Sequence, residues 1–124
     1  MKLEIPGQFG GPECRPFASV AVALRRLLEP VFADVPSPIG KLVLLLRVSG
    51  TQRDFGGDGP LSPTLDGNAL VCEIELKEQP WAGMDQTGIR RILADYLLRA
   101  IDSCVRSQFL PGETLERAER LLAE

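Results

Sequence analysis

Nine apolar residues between Gly88 and Pro111 repeat at helical spacing: Ile89, Ile92, Leu93, Tyr96, Leu97, Ala100, Ile101, Cys104 and Val105. Arg90, Arg91, Asp95, Arg99, Asp102 and Arg106 take the opposite side. A helix greasy along one stripe needs a flat apolar surface to lie on, and the commonest one is a sheet. Asp85 is suited to cap its start, and Pro111-Gly112 is expected to end it. The surface is legible upstream. In Ala69–Lys77 (ALVCEIELK), Cys72, Ile74 and Leu76 alternate with Glu73, Glu75 and Lys77, the signature of a half-buried antiparallel strand. In Lys41–Val48 (KLVLLLRV), Leu42, Leu44, Leu46 and Val48 point one way, and Val43, Leu45 and Arg47 the other. Both faces are largely apolar, which predicts a central strand whose second face is at least partly covered.

The remaining elements fit round these three. Lys2–Ile5 is a candidate short edge strand, closed by Pro6-Gly7, with an irregular glycine-rich stretch after it. Pro16 suits a first helical turn, and Phe17, Val20, Ala21, Leu24, Leu27 and Leu28 follow at helical spacing. Pro30 is expected to end or kink this helix, with Val31–Val35 a candidate extra turn before Pro36-Ser37-Pro38 forbids helix. Asp66-Gly67-Asn68 signals a turn, and Leu61–Leu65 is a candidate additional strand. Thr114 is the expected cap of a last helix, Leu115–Leu122. The order is β-α-β-β-α-α. It predicts a single α+β domain over 1–124, with helices mainly on one face of a small antiparallel sheet.

Composition removes several functions. The 124 residues contain no histidine, so a Ser-His-Asp or Cys-His triad and a histidine-containing zinc site are excluded. Cys14, Cys72 and Cys104 are far apart and form no CxxC pair. Cys72 and Cys104 fall on apolar stripes, as buried thiols in a reducing compartment do. No apolar run reaches the ~18 residues of a membrane span, and the N-terminus lacks the apolar stretch of a signal peptide. A cytoplasmic protein without a membrane partner is expected. Fourteen basic residues are scattered among seventeen acids, for a net charge of −3. Nucleic-acid binding calls for a concentrated basic patch, so it is not expected, whereas a basic protein partner suits the charge.

Residues Ser49–Asn68 hold five glycines, two prolines and three aspartates between two strands. Such a connection spans about 20 residues, where ~4–6 are usual, and long connections in compact domains are commonly functional. Asp54-Phe55-Gly56 matches three letters of a kinase magnesium loop, but the phosphate-covering and HRD loops are absent. The glycines of Gly56-Gly57-Asp58-Gly59 lead to a proline among acids, which repel phosphate. Asp54, Asp58 and Asp66 lack EF-hand spacing, so no metal or other cofactor is assigned. What the loop does offer is one aromatic, Phe55, among Asp54 and Asp58: an apolar anchor ringed by negative charge. Glu73 and Glu75 share one strand face, and Trp81 is a lone tryptophan in a Pro/Gly connector, a residue type frequent at interface hot spots. Asp54, Phe55, Asp58, Glu73, Glu75 and Trp81 are therefore the candidate partner-binding residues, and no catalytic residue is assigned.

The general plan resembles a known family. Gly10-Gly11-Pro12-Glu13, then a strand, a Gly-x-x-x-Asp-Phe-Gly-Gly loop at Gly50–Gly57, an alternating strand, Trp81 and an amphipathic helix follow one another in an acidic chain. This layout is similar to the α+β immunity proteins of bacterial polymorphic and contact-dependent toxin systems. The resemblance implies tight, non-enzymatic binding of a cognate toxin domain, occluding its active site or a surface it needs. Two other functions fit the composition: a type III-like secretion chaperone, which would homodimerise through a helix and a strand, and a small enzyme or regulatory subunit working through carboxylates.

Overall fold

The structure, a computed structural model, describes residues 1–9, 15–35, 38–48, 59–76 and 83–123. Its strands are β1 (Lys2–Glu4), β2 (Gly7–Phe9), β3 (Lys41–Val48), β4 (Gly59–Pro60), β5 (Thr64–Asp66) and β6 (Ala69–Glu75). Its helices are α1 (Arg15–Ala33), α2 (Gln86–Arg106) and α3 (Gly112–Leu122). The domain is α+β, in the expected β-α-β-β-α-α order with additional short strands.

The sheet is mixed, which corrects the expectation of an antiparallel one. β3 is central, with β1 and β2 parallel to it on one side and β6 parallel to it on the other. Only β4 and β5 run antiparallel, both along the outer edge of β6. Parallel neighbours need a crossover. Between β2 and β3 that crossover is α1. Between β3 and β6 it is the long connection, which returns down the outer edge as β4 and β5 before β6 inserts beside β3. Alternation of side chains is the same in parallel and antiparallel strands, so the sequence of β6 could not reveal its direction. The two-residue hairpin from β5 into β6 has Gly67 at φ +60°, a conformation glycine adopts without a Cβ penalty.

β1 stops at Glu4, ahead of Pro6, but the stretch after it is not irregular: a second strand, β2, begins at Gly7. Lys2 pairs with Lys41 and Gly7 with Leu46, so β1 and β2 continue in one register. The Leu46 N–H donates to the Pro6 carbonyl at 2.9 Å, but Pro6 has no N–H to return, and the ladder lapses there before resuming. An edge strand tolerates such a gap.

The helices lie against one face. Leu42, Leu44 and Leu46 of β3 are buried on that side, as are Leu70, Cys72 and Ile74 of β6, with Leu76 just beyond it. They meet Phe17, Leu24 and Leu28 of α1 and Ile89, Leu93, Leu97, Ala100, Ile101 and Cys104 of α2 in one cluster. α3 packs on α1 and α2 through Ala118 and Thr114, the latter 3% exposed.

α1 runs through Pro30 to Ala33, taking up the candidate extra turn after the proline, because Val31 and Phe32 there are fully buried. Two other helix boundaries differ from expectation. α2 stops at Arg106 rather than at Pro111, because Gln108 turns left-handed at φ 66°. Pro111, not Thr114, occupies the N-cap of α3.

Candidate protein-interaction face

The sheet face away from the helices carries the alternate residues of each strand, and the register arranges them in rows. Lys41 lies beside Ala69, Val43 beside Val71, Leu45 beside Glu73, and Arg47 beside Glu75. Val43, Leu45 and Val71 are half-buried and form an apolar middle. At one end Glu4 lies 3.6 Å from the Lys41 ammonium and 3.9 Å from that of Lys2. At the other end the Arg47 guanidinium lies 3.8 Å from the Glu73 carboxylate, with Glu75 alongside. The face thus has an apolar strip between two charged ends, the general anatomy of a protein interface.

Glu73 and Glu75 stand where the alternation of β6 placed them, both half-exposed on the face away from the helices. Asp54, Phe55, Asp58 and Trp81 lie outside the described residues. The described residues that flank their segments share one end of the sheet. Val48 ends β3, Gly59 pairs with Glu75, and the Leu76 N–H donates to the Arg47 carbonyl at 3.1 Å. This is the Arg47–Glu73–Glu75 end. The sequence reading did not join Val71 to Val43 and Leu45. Joining them requires the parallel register of β3 with β6, for which periodicity carries no signal.

The re-entry point is Gly59, in a backbone conformation that residues with a Cβ rarely adopt. Its φ is +125°, and a Cβ there would come 2.6 Å from the Arg99 guanidinium. Arg99 itself lies over the Tyr96 ring, 5.1 Å from its centroid, and 4.0 Å from Asp95. The arginines of α2 include i,i+4 ion pairs, Arg99 with Asp95 and Arg106 with Asp102 at 3.0 Å, as their spacing suggested.

The helical side carries shallow clefts. One of ≈ 440 Å³ lies between α1 and the start of α2, lined by Ser19, Leu24, Leu27, Thr87 and Arg90. Another, of ≈ 740 Å³, lies between α1 and α3 over Leu27, Pro30 and Leu121, with Arg26, Arg117 and Arg120 at its rim. Arg117 also reaches back to Asp34 at 3.2 Å. Among the described residues no three Cys, Asp or Glu side chains cluster as metal ligands, and no helix is long and apolar enough to cross a membrane.

No protein-family model, curated protein or solved structure matches this chain.

Proposed function

We propose that this chain is a non-enzymatic protein-binding module, an immunity protein that neutralises a cognate bacterial toxin domain by occluding its active site or a surface it needs. The observation that carries this reading is the sheet face away from the helices, where the half-buried Val43, Leu45 and Val71 lie beside Glu73 and Glu75. The occupant we assign to it is a basic protein domain. Glu73, Glu75 and the acidic loop residues Asp54 and Asp58 would meet cationic groups that otherwise hold the toxin's substrate, and Phe55 or Trp81 would fill an apolar pocket on it. The net charge of −3 favours such an encounter at long range.

The test is binding, by titration calorimetry, to the purified product of the adjacent gene. Reversing the charge of Asp54 and Asp58 together, or of Glu73 and Glu75 together, is expected to weaken the complex by at least about a hundredfold. Unchanged affinity in both double variants would sink the reading. So would substrate turnover by the purified chain that vanishes on changing a single carboxylate.

A further inference from the structure

The helical side of the molecule has an apolar surface of its own, opposite in charge to the sheet face. Along α1 the exposed residues from Phe17 to Ala33 are Ala18, Ser19, Val22, Ala23, Arg26, Pro30 and Ala33. Arg26 is the only charge among them, and Val22 is left 43% exposed. A helix whose outer side faces water ordinarily carries charges there, as α2 does with Arg90, Arg91, Asp95 and Arg99. The two clefts beside α1 share Leu27. The larger, of ≈ 740 Å³, is floored by Leu27, Pro30 and Val31 of α1 and Leu121 of α3. The smaller continues the line past Ala23 toward the start of α2. Together they make one trough along α1 from Ser19 to Val31, about 18 Å long at ~1.5 Å per residue.

The charge of this trough is one-sided. Arg26, Arg117 and Arg120 edge the larger cleft and Arg90 the smaller, while Glu113 is the single acid lining either. The Arg120 Nε donates to the Glu116 carbonyl, an uncharged acceptor, at 3.4 Å. Arg117 lies 3.2 Å from Asp34, but that carboxylate is exposed, and so wet a pair is readily exchanged for another. We propose that the trough is a second docking surface whose occupant is an acidic amphipathic helix of a partner protein. Its apolar stripe lies on Leu27, Pro30 and Leu121, and the Asp and Glu residues flanking that stripe meet Arg26, Arg117 and Arg120.

The walls of the trough select this occupant. They are helices, whose backbone groups are satisfied internally, so they offer no edge for an extended peptide to pair with. A guest strand would bury unpaired N–H and C=O groups there, and a guest helix would not. A second copy of this chain related by a two-fold axis would set the same arginines against one another. Nucleic acid would gain from the arginines but nothing from the apolar floor. The sheet face, with Glu73 and Glu75, repels an acidic helix, so the two surfaces sort their partners by sign. The trough's occupant therefore does not depend on the one assigned to the sheet.

The experiment uses the full chain and a fluorescein-labelled synthetic peptide of about five helical turns, with Leu along one stripe and Glu on both its flanks. A twin peptide carries Lys in place of every Glu. Anisotropy titration at low salt is expected to show saturable one-to-one binding of the acidic peptide that weakens as salt rises, and at least about tenfold weaker binding of the twin. Arg26→Glu with Arg120→Glu, at two exposed positions, is expected to weaken the acidic peptide at least about tenfold. Backbone amide NMR shifts are expected to move at residues 19–31 and 113–121 and not along β6. The proposal is overturned by the absence of saturable binding, by equal affinity for the twin, by unchanged affinity in the double variant, or by shifts confined to the sheet. It is also overturned, in favour of a second copy, by a concentration-dependent dimer in sedimentation that Arg26→Glu abolishes. Phosphatidylglycerol vesicles bound as tightly as the peptide, with the same loss in the double variant, would overturn it in favour of a lipid surface. Should the double variant lose its circular dichroism, Ala23→Glu, at an exposed position beside the smaller cleft, replaces it with the same expected loss.

Discussion

Asp85 and Gln108 bracket α2 and are opposite cases of local chemistry. The Asp85 carboxylate accepts from the Gly88 N–H at 2.7 Å, satisfying one of the donors that a helix start leaves without a partner. The residue type and its place before the apolar stripe made this cap readable in advance. Asp85→Ala is expected to lower unfolding free energy by about 1 kcal/mol, read from the urea midpoint. Gln108 gave no such signal, because a left-handed glutamine is not a type the sequence advertises. Its N–H bonds the Val105 carbonyl and the Phe109 N–H bonds that of Cys104, both at 3.0 Å, so the chain reverses there as at a glycine-terminated helix. The strain of φ 66° at a side-chain-bearing residue should be removable. Gln108→Gly is expected to stabilise by about 0.5–1 kcal/mol in the same assay, net of the extra entropy of glycine in the unfolded chain.

Elements with strong periodicity were legible, and their ends were less so. The stripe of α2, the alternation of β6 and the two-faced apolarity of β3 all describe which side of an element is dry. Burial in the folded chain follows them at Leu93, Leu97, Cys72, Ile74, Leu42 and Leu44. Prolines interrupted these elements less than their missing donors would suggest. Pro6 and Pro30 remove one donor each, yet β1–β2 and α1 continue past them. At Pro30 the compensation is packing, since Val31 is 1% and Phe32 0% exposed. Phe32→Ala is therefore expected to cost about 3–5 kcal/mol, seen as a lower thermal midpoint, and to loosen the last turn of α1. Hydrogen exchange at the amides of residues 30–33 would report that loosening separately from global unfolding.

The whole molecule joins pieces that no window of sequence contains. The acidic character of β6 was plain, but its neighbour Arg47 and the apolar strip of Val43, Leu45 and Val71 exist only because β6 lies parallel to β3. If this face receives a basic domain, association should slow as salt rises, because exposed charges are screened over ~8–10 Å at physiological ionic strength. Glu73→Lys with Glu75→Lys is expected to lower the association rate at low salt by about tenfold or more, and to flatten its salt dependence. Stopped-flow mixing with the partner measures both. Periodicity and the absence of histidine settled from the sequence alone that this is an α+β chain without imidazole chemistry, because side-chain type and spacing are local properties. Strand direction and the insertion of β6 beside β3 were decided only by the tertiary structure, because alternation looks the same in every pairing and register is fixed by contacts between residues distant in the chain.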